Sequence, residues 1–145
     1  EPNPAAIGLL RRNIEANGLG EILDDRGIGI GAGARYGTFS VELPYDNNLG
    51  AARLVEGGAE RLEVYPLDER LKDEAVDFIK IDVEGMEFDV LEGAAHIIGR
   101  NRPVLMVEVF RDKISAFEAW CRDNGYRINN RFHCVHAVNL LAVAA

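Results

Sequence analysis

One segment constrains this chain more than any other. Residues 76–83 read Val-Asp-Phe-Ile-Lys-Ile-Asp-Val, the strongest strand signal present, and they run through Glu84-Gly85 directly into a helical pattern from 86 to 99. On that helix Met86, Val90, Leu91, Ala94, Ile97 and Ile98 fall on one apolar face. A continuous apolar run of the buried-strand kind follows at 103–109, then a helix at 114–124 with Phe117 and Trp120 on its buried side, closed by Gly125. Strand-helix-strand-helix order implies a mostly parallel sheet covered on both faces.

The flanking segments extend this pattern. Asn3-Pro4 is a helix start, with Asn as N-cap and Pro in the first turn. Ile7, Leu10 and Ile14 continue at helical spacing until Asn17-Gly18. A short strand is expected at 21–24, an inserted hairpin using 38–43 and 61–65, a loop at 46–50, and a short helix or turn at 66–72. Two last strands are expected at 126–132 and 136–143, the final one antiparallel.

In open α/β sheets ligands bind beyond the carboxyl ends of the strands. Lys80, Asp82 and Glu84 occupy alternate positions and project to one side of a strand that otherwise reads as central and buried. Charges in such a strand need a partner or a task. A structural reading pairs Lys80 with a carboxylate and lets Glu84 cap the following helix. A functional reading places both acids at a reacting centre, and Glu108, near the end of the next strand, adds a third acid to the same crevice.

Other signals are weaker. Gly29, Gly31 and Ala34 fit a dinucleotide-loop spacing, but the residues that follow are strand-like where that motif needs a helix. His133, Cys134 and His136 match no zinc spacing, and no metal is expected. The net charge of -8 argues against a broad nucleic-acid surface. No apolar run reaches the roughly 18 residues of a membrane span, and no secretory signal opens the chain. Cys121 and Cys134 read as free thiols, so a reducing cytoplasmic setting is expected.

Three segments resemble the FkbM-type methyltransferases. They are Glu1-Pro2-Asn3-Pro4 with Leu10-Arg11-Arg12-Asn13-Ile14 and Asn17-Gly18-Leu19; Ile79-Lys80-Ile81-Asp82-Val83-Glu84-Gly85-Met86-Glu87; and Arg102-Pro103 through Val107-Glu108-Val109. Asn48-Leu49-Gly50 and Leu67-Asp68-Glu69 resemble lesser marks of that family. The resemblance implies an α/β fold with a Rossmann-like class I methyltransferase sheet and S-adenosylmethionine as cofactor. It implies that Glu1 holds the ribose hydroxyls, that Asp24 or Asp25 contacts adenine, and that Asp82 and Glu84 lie at the methyl-transfer centre. Asp82 is then the first candidate base and Glu84 the second, with Asn48 and Glu108 on the acceptor side. By the same analogy the acceptor is a hydroxyl of a sugar, glycan or polyketide-like small molecule; the oligomeric state is open. In the family a first strand and its glycine-rich donor loop precede the position of Glu1. Residues 1–145 are therefore expected to be one N-terminally truncated methyltransferase domain, whose sheet lacks a central strand and which alone could be inactive. Two other readings are a non-catalytic remnant of the fold and a Rossmann domain for another nucleotide.

Overall fold

The computed structural model describes residues 1–42, 52–57 and 61–145. Helix α1 covers Pro4–Ala16, and the strands β1 Gly31–Ala32, β2 Gly37–Glu42, β3 Arg53–Glu56 and β4 Leu62–Tyr65 follow. After the one-turn helix α2, Leu67–Arg70, come β5 Phe78–Ile81, α3 Glu87–Gly93, α4 Ala95–Asn101 and β6 Val104–Phe110. Helix α5, Ile114–Asp123, leads to β7 Tyr126–His133 and β8 Ala137–Ala144. The expected loop at 46–50 lies outside the described residues.

The single, mostly parallel sheet expected from the alternation is not what forms. The described strands make two four-stranded sheets, ordered β1-β4-β2-β3 and β5-β6-β8-β7. Parallel pairing is confined to β1 with β4 and β5 with β6; the other pairs are antiparallel, including the expected C-terminal strand. Strand β5 is correspondingly an edge, not a central strand, and Phe78 on it is 53% exposed. The strand expected at 21–24 is a turn, because the Asp24 side chain accepts the Arg26 backbone N–H and starts a 3₁₀ turn at Asp25–Gly27. The strand forms later, in the glycine-dense stretch. Side chains crowd this stretch: a Cβ at Gly31 would lie 3.0 Å from Leu54 and Val64, and one at Gly33 2.7 Å from Val64. Strand β3 had no distinct sequence signature.

Helix α1 starts and stops as the sequence implies. Asn3 caps it through the Ala5 N–H, and Gly18 beyond its end has φ 63°. The helix expected at 86–99 is instead two helices that break at Ala94. The break is stabilised from outside, because the Asp68 carboxylate accepts the backbone N–H groups of His96 and Ile97 at 2.8 and 2.9 Å. Those are donors that a helix start leaves unmet.

The core lies on the second sheet. Ile81, Leu105, Val107, Leu140 and Ala142 pack against Val90, Leu91 and Ile98 from α3 and α4 on one side of the strand order, with Phe117 and Cys121 of α5 in the same cluster. Helix α3 touches β1 of the first sheet as well as β6 of the second. That bridge rests on Gly93, where a Cβ would sit 1.9 Å from the Gly33 carbonyl oxygen and 3.2 Å from the Pro66 Cα. Both neighbours are backbone and cannot swing aside. Gly93→Ala is therefore expected to destabilise the protein by about 3 kcal/mol, at the upper end of overpacking costs. Urea unfolding measures this directly, and an unchanged midpoint would mean that the helix does not seat on the first sheet.

Candidate active site

The site forms where β5 ends beside the last residues of β6. The two strands are parallel with Ile81 opposite Val107, so Asp82 and Glu108 lie at matching depths just beyond. The chain then turns sharply. Glu84 has φ 49° and Gly85 φ 114°, both in the left-handed region, which is costly for Glu84. Three contacts hold that turn. The Gly85 N–H donates to Glu87 Oε1 at 2.6 Å, the Lys113 ammonium donates to the Gly85 carbonyl at 2.9 Å, and Lys113 also reaches Glu87 Oε2 at 3.5 Å. Glu87 is 2% exposed, and these partners answer the charge it buries. Glu84 does not cap α3, which has no side-chain cap.

The turn brings the acids together. Carboxylate oxygens of Asp82, Glu84 and Glu108 all lie within 4.8 Å of one another, a spacing that could bracket a hard cation. Crowding is answered in part by hydrogen bonding. Lys80 pairs with Asp82 at 2.8 Å, as the structural reading of that strand anticipates. Asp82 and Glu108 share a hydrogen bond, and Asn139 donates to Glu108 Oε1 at 3.2 Å.

The acids differ in proton affinity. The hydrogen bond to Asp82, burial and the charge of Asp82 push the Glu108 carboxyl up. Burial also pushes against ionisation of Asp82, but the hydrogen bonds from Glu108 and Lys80 and the Lys80 charge outweigh it and hold Asp82 down. Glu84 is pushed up by burial first and by the Asp82 charge second, with Arg53 opposing. So Asp82 is the settled anion, while Glu84 and Glu108 bind protons more readily than ordinary glutamates.

Asp82 stands between two concavities. A cavity of about 490 Å³ on the β8 side is lined by Arg53, Asp82, Glu84, Glu108 and His136. On the other side a crevice of about 770 Å³ is lined by Glu1, Asp24, Gly31, Ala32, Tyr65 and Asp82. A smaller bay of about 120 Å³, shared by Glu1, Asn3, Asp82 and Glu84, adjoins them. Both larger spaces fall within the range of small-molecule sites, roughly 300–1,000 Å³.

The structure thus brings Glu1, Asp24, Asp82, Glu84 and Glu108 to one region. Within it Asp24 is engaged by Arg26, whose paired hydrogen bonds pull its carboxyl down to about 2. Asp25 lines a different groove, with Arg11, Glu15 and Leu23. Asn48 lies outside the described residues. Sequence reading gave no role to Glu87 or Lys113. Glu87 did carry a signal: three and four residues before Val90 and Leu91, it is a charge on the apolar face of its helix.

Fold and site define an α/β domain with an acidic centre between two spaces of ligand size. The family model for the methyltransferase FkbM domain matches residues 1–128, and the chain belongs to that family. It is also similar to the crystal structure of the methyltransferase FkbM from Methylobacillus flagellatus KT, with 21% identity and a TM-score of 0.62. That likeness, a matter of fold, covers 97% of this chain and 35% of the other. The chain thus spans about a third of the length of that protein. No curated protein matches it. Among the described residues no helix is long and apolar enough to cross a membrane.

The cluster has a stability consequence. A carboxyl with a raised pKa costs stability when ionised in the folded protein. That cost is present above the folded pKa and vanishes once pH falls below the unfolded value, near 4.5 for Glu108. Glu108→Gln is expected to raise the melting temperature at pH 7 by about 2 °C, from roughly 0.5 kcal/mol of relieved repulsion. The gain should disappear below pH 4. Scanning calorimetry at both pH values checks it, and a loss of stability at pH 7 would show that the carboxylate is needed for the fold.

Proposed function

We propose that this protein is an S-adenosylmethionine-dependent O-methyltransferase acting on a hydroxyl of a small molecule or glycan. The observation that carries the reading is the position of Asp82 on the boundary between two ligand-sized spaces, with Glu84 beside it on the β8-side cavity, as a reaction between two bound molecules requires. The residues present suit the donor. The crevice is large enough, Glu1 offers a carboxylate to ribose hydroxyls, and an anionic cluster favours a sulfonium cation. A buried amide donor on Asn3 is left without a partner beside them. Family membership supports the reaction class.

S-adenosylmethionine supplies an electrophilic methyl group. The chain's own residues do the rest. Glu1, Gly31 and Asp82 line the crevice that would hold the nucleoside. Holding two reactants in line can contribute roughly 7–11 kcal/mol. A hydroxyl acceptor that becomes methylated would have to give up its proton to a base in the site. Glu84 is the better-matched acceptor for it: it lines the β8-side cavity and its proton affinity is raised, whereas hydrogen bonds with Glu108 and Lys80 hold Asp82 as an anion. Asp82 then acts as the fixed negative charge beside the reaction rather than as the base. Glu108 and His136 face the acceptor side.

The test uses the complete gene product carrying these residues. It should bind S-adenosylhomocysteine at micromolar concentrations in a calorimeter and transfer labelled methyl groups to a hydroxyl acceptor. Glu84→Gln should lower kcat by about 10²–10⁴-fold with the affinity for S-adenosylhomocysteine nearly unchanged. The acid limb of kcat should lie above the ordinary glutamate value of 4.5, because the raised group must lose its proton to act. No binding of S-adenosylhomocysteine would contradict the donor assignment; an unchanged kcat in Glu84→Gln would contradict the base.

A further inference from the structure

The β8-side cavity does not end at the acidic cluster. A groove of about 500 Å³ adjoins it, and the two share Arg53, Glu84, Phe110 and His136. Beyond these the groove is lined by Gly85 and by Arg111, Asp112 and Lys113, the one-turn 3₁₀ segment between β6 and α5. Its charge differs from that of the cavity. Asp82, Glu84 and Glu108 dominate the cavity, whereas the groove sets three cations, Arg53, Arg111 and Lys113, against two acids, Glu84 and Asp112. In a chain of net charge -8 this is a local reversal of sign.

The cations are held from several elements. Arg111 Nη2 donates to the Cys134 carbonyl at 2.9 Å and Nε to the Val135 carbonyl at 3.4 Å, which ties the guanidinium to the β7–β8 hairpin. Among the described residues no carboxylate pairs with it. The Lys113 ammonium donates to the Gly85 carbonyl and to Glu87, which offsets part of its charge and leaves it a third N–H. Arg53 comes from β3, in the other sheet, so the groove lies between the two sheets. Phe110 lines cavity and groove alike and gives them a common apolar surface. Guanidinium and ammonium groups converging on one concave space are the means by which proteins hold carboxylates and phosphates.

We infer that the groove is the outer half of the acceptor site and takes an acidic substituent, a carboxylate or a phosphate, through Arg53, Arg111 and Lys113. The acceptor is then an anionic hydroxy compound, its hydroxyl beside Glu84 and its acidic group beside Arg111. This rests on the methyl-transfer reading above. Glu84 borders both spaces, so a molecule anchored in the groove reaches it without crossing the acidic cluster. The same charges select against other acceptors. An acidic group placed in the cavity would meet Asp82, Glu84 and Glu108, and like charges repel. Only one orientation, acid outward and hydroxyl inward, satisfies both ends.

Ligand-observed NMR on the complete gene product, with saturating S-adenosylhomocysteine present, tests this with three probes: phenyl phosphate, benzoate and the neutral benzyl alcohol. At least one of the two anions should bind more tightly than benzyl alcohol, and raising the ionic strength should weaken that anion alone. Whichever anion leads names the acidic group. Arg53→Gln and Arg111→Gln should each weaken it roughly three- to tenfold. Arg111→Lys, which keeps the charge, should restore most of the loss, and Arg127→Gln, which removes a charge from exposed β7, should change nothing. If neither anion outbinds benzyl alcohol, or if Arg53→Gln and Arg111→Gln both bind the anions as the parent does, the inference fails while S-adenosylhomocysteine binding leaves the methyl-transfer reading standing. If the anions bind but S-adenosylhomocysteine does not, that reading fails and the groove is no acceptor site.

Discussion

The seating of α3 is the constraint on which the site depends. At one end Gly93 lies against the Gly33 backbone so closely that no side chain fits. At the other, the buried Glu87 carboxylate takes the Gly85 N–H and is met by Lys113 from beyond β6. The first contact fixes the helix against the short strand that borders the large crevice. The second holds the turn that delivers Glu84 to Asp82 and Glu108. One short helix therefore sets the distance between the large crevice and the acidic cluster.

The turn and the acid cluster both run against stability. Glu84 adopts a left-handed backbone that a non-glycine residue disfavours. Three carboxylates meet in a space where at least one must hold its proton more tightly than usual. Neither feature helps the chain fold. Such features persist where the surroundings impose them, and here the core beneath β5 and β6, with Ile81, Leu105 and Val107 almost fully buried, supplies that support. The hydrogen bonds to Glu108 and Lys80 favour Asp82 as the ionised member, and Glu84 and Glu108 bind protons more readily than ordinary glutamates.

Much of this was legible in the sequence, and the parts that were not have physical reasons. The Asn3 cap, the Asn17-Gly18 stop and the run from β5 into α3 are local features, and local rules read them. The meeting of Asp82 with Glu108 followed from two adjacent parallel strands ending in acids. The break at Ala94 did not, because Asp68 makes it from 28 residues away. Strand β1 was hidden by the glycines in and around it, Gly31 and Gly33, which lie close to Val64 and carry no hydrophobic alternation. The division into two sheets is a property of pairing partners, to which periodicity is blind. The proposal of Glu84 rather than Asp82 as the base needed the Lys80 ion pair and the closeness of the three acids, which only the fold brings about.

The central claim is that a single nucleoside site spans the end of the first sheet and the turn after β5. Amide hydrogen exchange of the protein, with and without saturating S-adenosylhomocysteine, tests it most directly. The account predicts slowed exchange at Asn3, at Gly31–Ala32 and across Asp82–Gly85 together, with β7 unchanged. Ligand binding accompanied by protection at only one of those segments, or at β7 instead, would contradict it.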